Sequence, residues 1–209
     1  MKTVIFSYRL VSDTGFAPCI DNNTFSLACC KGGQVRKGKN VFTGLRFQIA
    51  KYKEQYPHDD IYVLGIYKNK LLYYARVTDV ITMLDYYSDI NKIMFGKRTD
   101  HIYDLKNGVL ERNKFLPHIH PKGDLQNERD KNGVYVIISN QFSYFGTSAP
   151  LIPKNVLDVL PQFRENKKYF TNESAFNIVN DFIQKSVYYN GVVGKPHQPL
   201  KASKSGGCR

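Results

Sequence analysis

The residues best suited to chemistry lie between Asp13 and Arg36. Asp13-Thr14-Gly15-Phe16-Ala17-Pro18-Cys19 follows directly on the apolar run Thr3 to Leu10. A Gly/Pro-punctuated turn after a strand exposes backbone N–H groups and short polar side chains, as the rim of a pocket does. There the Asp13 carboxylate can accept hydrogen bonds from a base edge or ribose hydroxyl, or act as a general base; its ordinary alternative is an Asp capping its own turn. Cys30, between Cys29 and Lys31, offers a nucleophile whose pKa a neighbouring cation would lower, although free Cys is commonly a core residue. His101 and His118 are candidates for acid/base roles. His118 and His120, with Cys19, Cys29 or Cys30, could furnish metal donors, but no Cys-x-x-Cys pair accompanies them and no metal is assigned. No cofactor is assigned either: there is no dinucleotide fingerprint, and Gly32-Gly33 lacks the Gly-Lys-Ser/Thr of a P-loop.

Charge narrows the class of partner. The 209-residue chain carries a formal net charge of +12 and a pI near 9.5. From Asn22 to Lys53 there is no Asp or Glu, whereas Lys31, Arg36, Lys37, Lys39, Arg46, Lys51 and Lys53 are basic. Such a stretch attracts polyanions through counterion release, so nucleic acid is favoured over an acidic protein or a membrane surface. Lys31 and Arg36 are the candidates for holding phosphate. Phe16, Tyr103 and Tyr144 are the candidates for stacking on a base, set against the common use of aromatics as core. The cysteines, at 19, 29, 30 and 208, form no disulfide framework, and no run approaches a membrane span, which suits a cytoplasmic location.

The elements that must position these residues follow from patterning. Strands are predicted over Thr3 to Leu10, Phe25 to Ala28, Ile61 to Tyr67, Leu71 to Val80, Gly133 to Ser139 and Gln141 to Gly146, and Val35 to Gly44 reads as a charged turn followed by a strand that ends in Thr43-Gly44. Lys68-Asn69-Lys70 makes a hairpin of the two central ones. Short helices are predicted over Ile81 to Asp89, Pro153 to Leu160 and Glu173 to Lys185, the last with Ala175, Ile178, Val179, Phe182 and Ile183 on one face. Asn91 to Gly123 shows no sustained periodicity and reads as a long polar connection. No βαβ rhythm is visible. The expected fold is α+β, a mostly antiparallel, barrel-like sheet with a few short helices. One domain spans 1–194, and 195–209, with four basic and no acidic residues, reads as a flexible tail.

Several blocks resemble the nucleotide modification associated domain 2 family: Asp13-Thr14-Gly15-Phe16-Ala17-Pro18, Leu27-Ala28 with Cys30-Lys31, Arg36, Leu72 to Thr78, Tyr86-Tyr87, Asp100 with Ile102-Tyr103, Ser139 with Phe142, Tyr144-Phe145-Gly146, Pro153, and Gly191 to Pro196. Where relatives read Gly-Asp-Trp, this chain has Gly38-Lys39-Asn40. The resemblance implies an association with modified nucleotides or bases in bacteria and phages, near defence or DNA-modification systems. The element order is also similar to PUA- and EVE-type domains, small barrels that hold a base in an aromatic pocket.

The expected function is therefore recognition of a modified base in nucleic acid, DNA favoured. Two alternatives stand beside it. One is an enzyme acting on a nucleotide or base through Asp13, His101 or His118, and Cys30. The other is a basic module that meets a protein partner in a phage or defence complex.

Overall fold

The computed structural model describes residues 2–88, 98–113, 129–160, 173–186 and 191–199. Its main sheet has the order β1-β5-β6-β11-β12, formed by β1 (Thr3–Arg9), β5 (Asp60–Tyr67), β6 (Lys70–Arg76), β11 (Gln141–Tyr144) and β12 (Gly191–Val192). A second sheet has the order β2-β10-β7, from β2 (Phe25–Leu27), β10 (Tyr135–Ser139) and β7 (Asp79–Thr82). Two hairpins stand apart, β3 (Gln34–Arg36) with β4 (Lys39–Val41), and β8 (Tyr103–Lys106) with β9 (Val109–Arg112).

Strand period explains the layering. In β1, Val4, Phe6 and Tyr8 point to one face and Ile5 to the other. The first face meets Phe25, Leu27 and Ile137 of the second sheet, along with Leu45 and Ile49 of α1 (Leu45–Gln55), to form the central core. The opposite face, with Ile5, Leu64, Ile66 and Leu71, is covered by Val156 of α3 (Lys154–Leu157) and by Val179 and Ile183 of α4 (Glu173–Ser186). Behind the second sheet, Val136 and Ile138 pack with Phe16, Tyr103 and the Met83, Tyr86 and Tyr87 of the segment that contains α2 (Met83–Tyr86).

The sequence anticipates mixed α+β, and the sheets are mostly antiparallel, but among the described residues no sheet closes into a barrel. β1 bonds along its length to β5 alone, and the opposite edge is the two-residue β12. β1 and β5 run parallel, in register from Thr3 opposite Asp60 to Arg9 opposite Ile66, with α1 between them in the chain, although no βαβ rhythm is legible; β11 and the short β12 also pair parallel.

Three hairpins turn on pairs with positive φ: Lys37-Gly38, Lys68-Asn69 and Asn107-Gly108. Positive φ at both central residues matches the right-handed twist of the flanking strands. Gly65 serves packing instead. A Cβ there would lie 2.0 Å from Cε1 of Tyr73, the residue opposite it on β6, so glycine lets that ring lie across the strand toward Tyr8.

Candidate functional site

Asp13 is 1% exposed, and every polar atom of its carboxylate is used. Tyr144, at the end of β11, donates its hydroxyl to Oδ1. Oδ2 accepts from the backbone N–H of His197 at 3.0 Å and lies 2.8 Å from His197 Nδ1. The Asp13 carbonyl accepts from Gln198 N at 2.8 Å. An ionised carboxylate can only accept, so the bond fixes the proton of a neutral ring on Nδ1 and leaves the lone pair on Nε2. The imidazole keeps 24% of its surface in solvent and leans on Tyr67, ring centroids 5.0 Å apart.

The chain reaches this arrangement through backbone fit. Residues 195–199, the start of the stretch read as a tail, lie against the body of the protein: Thr147 N donates to Lys195 O at 2.8 Å, beside the Asp13 contacts of His197 and Gln198. Gly15 sits at φ +73°, and a Cβ on it would meet Pro196 Cγ at 2.7 Å. Glycine at this turn thus supplies a left-handed backbone and room for the returning segment. The Ala17–Pro18 peptide is cis.

A second polar line runs beside the first. Tyr73 donates to the Tyr8 hydroxyl, and the Lys31 ammonium rests 4.6 Å from the centroid of the Tyr8 ring. Burial pushes the phenols of Tyr8, Tyr73 and Tyr144 well up, with the Asp13 charge adding to the effect on Tyr8 and Tyr144. They are therefore protonated at neutral pH and act as hydrogen-bond donors. Lys31 is held there by a strained turn: Cys30 and Lys31 both have positive φ, 59° and 52°. Cys30 N donates to Asp130 Oδ1 at 2.9 Å, and its carbonyl accepts from Arg46 Nε at 2.8 Å.

The other sequence candidates are placed as follows. Cys30 belongs to that turn. Burial, then the Asp130 carboxylate, push its thiol up to about 12 against the pull of Lys31 and Arg46. Iodoacetamide at neutral pH is expected to alkylate Cys30 on the order of a thousandfold more slowly than an unperturbed cysteine, because the thiolate is the nucleophile. Peptide-resolved mass spectrometry checks this, and labelling at the rate of a free cysteine would show an exposed thiolate. Phe16 and Tyr103 are each 1% exposed within the core behind the second sheet, and Tyr144 is fully buried, so none of the three presents a ring face to solvent. His101 is 7% exposed against the rings of Tyr86 and Tyr87. His118 lies outside the described residues.

Arg36 is exposed on the β3–β4 hairpin, its Nε donating to Gln34 Oε1 at 2.7 Å, with Lys37 and Lys39 exposed beside it. Just after this hairpin Phe42 is 46% exposed, the aromatic of the basic stretch that does face water. Arg46 of that stretch is buried.

Sequence reasoning missed His197, Tyr8 and Tyr73. His197 stands 184 residues from Asp13, between Pro196 and Gln198 in a segment without strand or helix periodicity. Its one signal is proximity to the Gly191 to Pro196 block.

A buried carboxylate bound to a partly exposed imidazole, with a lysine amine over the nearby Tyr8 ring, gives this α+β domain a polar site at one end of its mixed sheet. The chain belongs to the nucleotide modification associated domain 2 family, whose model matches residues 2–203. No curated protein and no solved structure matches it. The family's name ties the domain to nucleotide modification. Among the described residues no helix is long and apolar enough to cross a membrane.

Proposed function

We propose that the domain binds a nucleotide within nucleic acid, modified DNA above all, at the Asp13–His197 end of the main sheet. The observation that carries this reading is the Lys31 ammonium, fixed by a strained and clamped turn over Tyr8, whose hydroxyl the charge of the His197-bound Asp13 reaches. Strain of this kind persists where the surrounding structure over-determines it, and it collects at ligand sites. Lys31 meets phosphate, and His197 offers a hydrogen bond to a base edge or sugar hydroxyl. Arg36, Lys37 and Lys39 extend the cationic path along the hairpin, with Phe42 as a stacking face for an unpaired base.

Fluorescence anisotropy of labelled modified and unmodified oligonucleotides between 50 and 200 mM salt tests the reading. The logarithm of affinity is expected to fall linearly with the logarithm of salt, and Lys31→Ala and Arg36→Ala are each expected to flatten the duplex slope by about 0.9. Salt-insensitive binding, or slopes unchanged in both variants, would overturn it.

A further inference from the structure

We propose that His197 is a general base, and that the site hydrolyses a phosphate ester of the nucleotide it binds; this rests on the binding reading above. The geometry is that of a proton acceptor prepared in advance. Asp13 is buried and accepts the hydrogen bond of Nδ1–H, the backbone N–H of His197 binds the same Oδ2, and Tyr144 donates to Oδ1. The ring therefore cannot turn without breaking its bond to a buried carboxylate. Among the described residues no hydrogen bond to Nε2 is present, and the ring is partly open to solvent. A His that served only to fasten the 191–199 segment would not need its side chain there, because the backbone N–H of His197 and that of Gln198 already bind Asp13.

Water is the co-reactant that a partly exposed imidazole meets. Nε2 takes one proton from it, and the Asp13 carboxylate faces the imidazolium that forms. The water oxygen bonds to phosphorus, the phosphorus–oxygen bond to the nucleotide breaks, and the imidazolium returns its proton to the departing oxygen. The products are a free hydroxyl and either phosphate, from a monoester, or a terminal phosphomonoester, from a strand, so atoms and charge balance with no oxidant or reductant. Lys31, over the Tyr8 ring that the Asp13 charge reaches, is the cation assigned to the phosphoryl oxygens.

The test uses the full chain. Deoxynucleoside 5′-mono- and triphosphates and modified and unmodified oligonucleotides are incubated with it and read by mass spectrometry, with anisotropy recorded on the same oligonucleotides. The expected result is phosphate release or strand scission that falls about 10²- to 10⁴-fold in His197→Ala, with binding retained, and is partly restored by added 4-methylimidazole. Asp13→Asn would give a similar loss, and should it fail to fold, His197→Ala with its 4-methylimidazole rescue carries the test. Carbethoxylation supplies an independent readout, since exposed His58 is an internal standard. His197 is expected to react faster than His58 and to be protected by bound oligonucleotide. Binding with protection of His197 but no mass change on any substrate overturns the hydrolytic role and leaves the binding reading intact. Turnover that survives His197→Ala, or that 4-methylimidazole does not rescue, overturns the assignment of the base. Neither binding nor turnover overturns both readings.

Discussion

Arg98→Ala is expected to cost about 3–5 kcal/mol of stability, the scale found when one member of a buried ion pair is removed. The Arg98 side chain is 1% exposed and that of Asp100 is not exposed, with Nε 3.5 Å from Oδ1. Around them Tyr86 donates to Asp100 Oδ1 at 2.8 Å, Ser26 donates to Oδ2, and Arg98 donates to Ser26 Oγ at 2.8 Å. The same guanidinium also binds the carbonyls of Cys19 at 3.2 Å and Thr24 at 3.0 Å, and that of Asp21. Truncation would thus strand a buried carboxylate and release the 19–24 segment that follows the Asp13 turn. Asp100→Ala is expected to cost less, because Arg98 keeps its carbonyl partners, and Arg98→Met with Asp100→Leu should cost less than the sum of the single losses.

The pH dependence follows from burial. Burial pushes the Asp100 carboxyl up, opposed by Arg98, Ser26 and Tyr86, and the net direction is upward. A carboxyl raised in the folded state binds its proton more tightly there, so its contribution is fullest at low pH and declines as pH rises through the folded value. Without Arg98 that rise is larger, so the deficit of Arg98→Ala should widen between about pH 4 and pH 7. Urea unfolding of the variants at the two pH values checks this, and a deficit that is constant or shrinks with pH would show that Asp100 stays ionised without its partner.

How far the fold is legible follows from what each element needs. β1, β5, β6 and β10 are continuous apolar or β-branched runs, and their bounds agree with the sequence to within a residue or two at most ends. α4 spans Glu173–Ser186, where its apolar face is written into Ala175 to Ile183. α1 is hidden because one of its four buried positions is an arginine: Leu45, Arg46, Ile49 and Ala50 read as a mixed stretch unless Arg46 is known to face inward. β8 and β9 lie in a segment read as a polar connection, although Asn107-Gly108 is a two-residue hairpin signal. At the site, Asp13 and Lys31 stand out by residue type and turn context. Their partners do not, because Tyr8, Tyr73 and Tyr144 look like core aromatics and His197 arrives from the far end of the chain. Barrel closure depends on which strand edges meet, and that pairing is not encoded in any local pattern.

Arg46→Leu is expected to cost about 3–5 kcal/mol and, in milder form, to show how the site is built. The guanidinium lies fully inside the protein, donating to Cys30 O at 2.8 Å, to Tyr135 O at 2.6 Å and to the Asp130 carbonyl. Removing it leaves one buried and two partly buried carbonyls without their donor, at up to about 1–3 kcal/mol each before relaxation. Gly133 makes the room, since a Cβ there would fall 2.3 Å from Arg46 Cζ, and Gly133→Ala should destabilise by displacing the same group. Arg46→Lys is the informative variant. A single ammonium cannot reproduce the planar fork that reaches three carbonyls in different directions. The left-handed pair Cys30 and Lys31 would lose a restraint that offsets about 1–3 kcal/mol of strain per residue. The chain should then relax around Cys30, and Lys31 should leave the Tyr8 ring. A folded Arg46→Lys protein is thus expected to show a lowered urea midpoint together with the flattened salt slope of Lys31→Ala, although residue 46 is buried and touches no ligand. Wild-type stability with a wild-type slope would mean that Lys31 is positioned without the arginine, and that the strained turn is held by Asp130 and the flanking backbone alone.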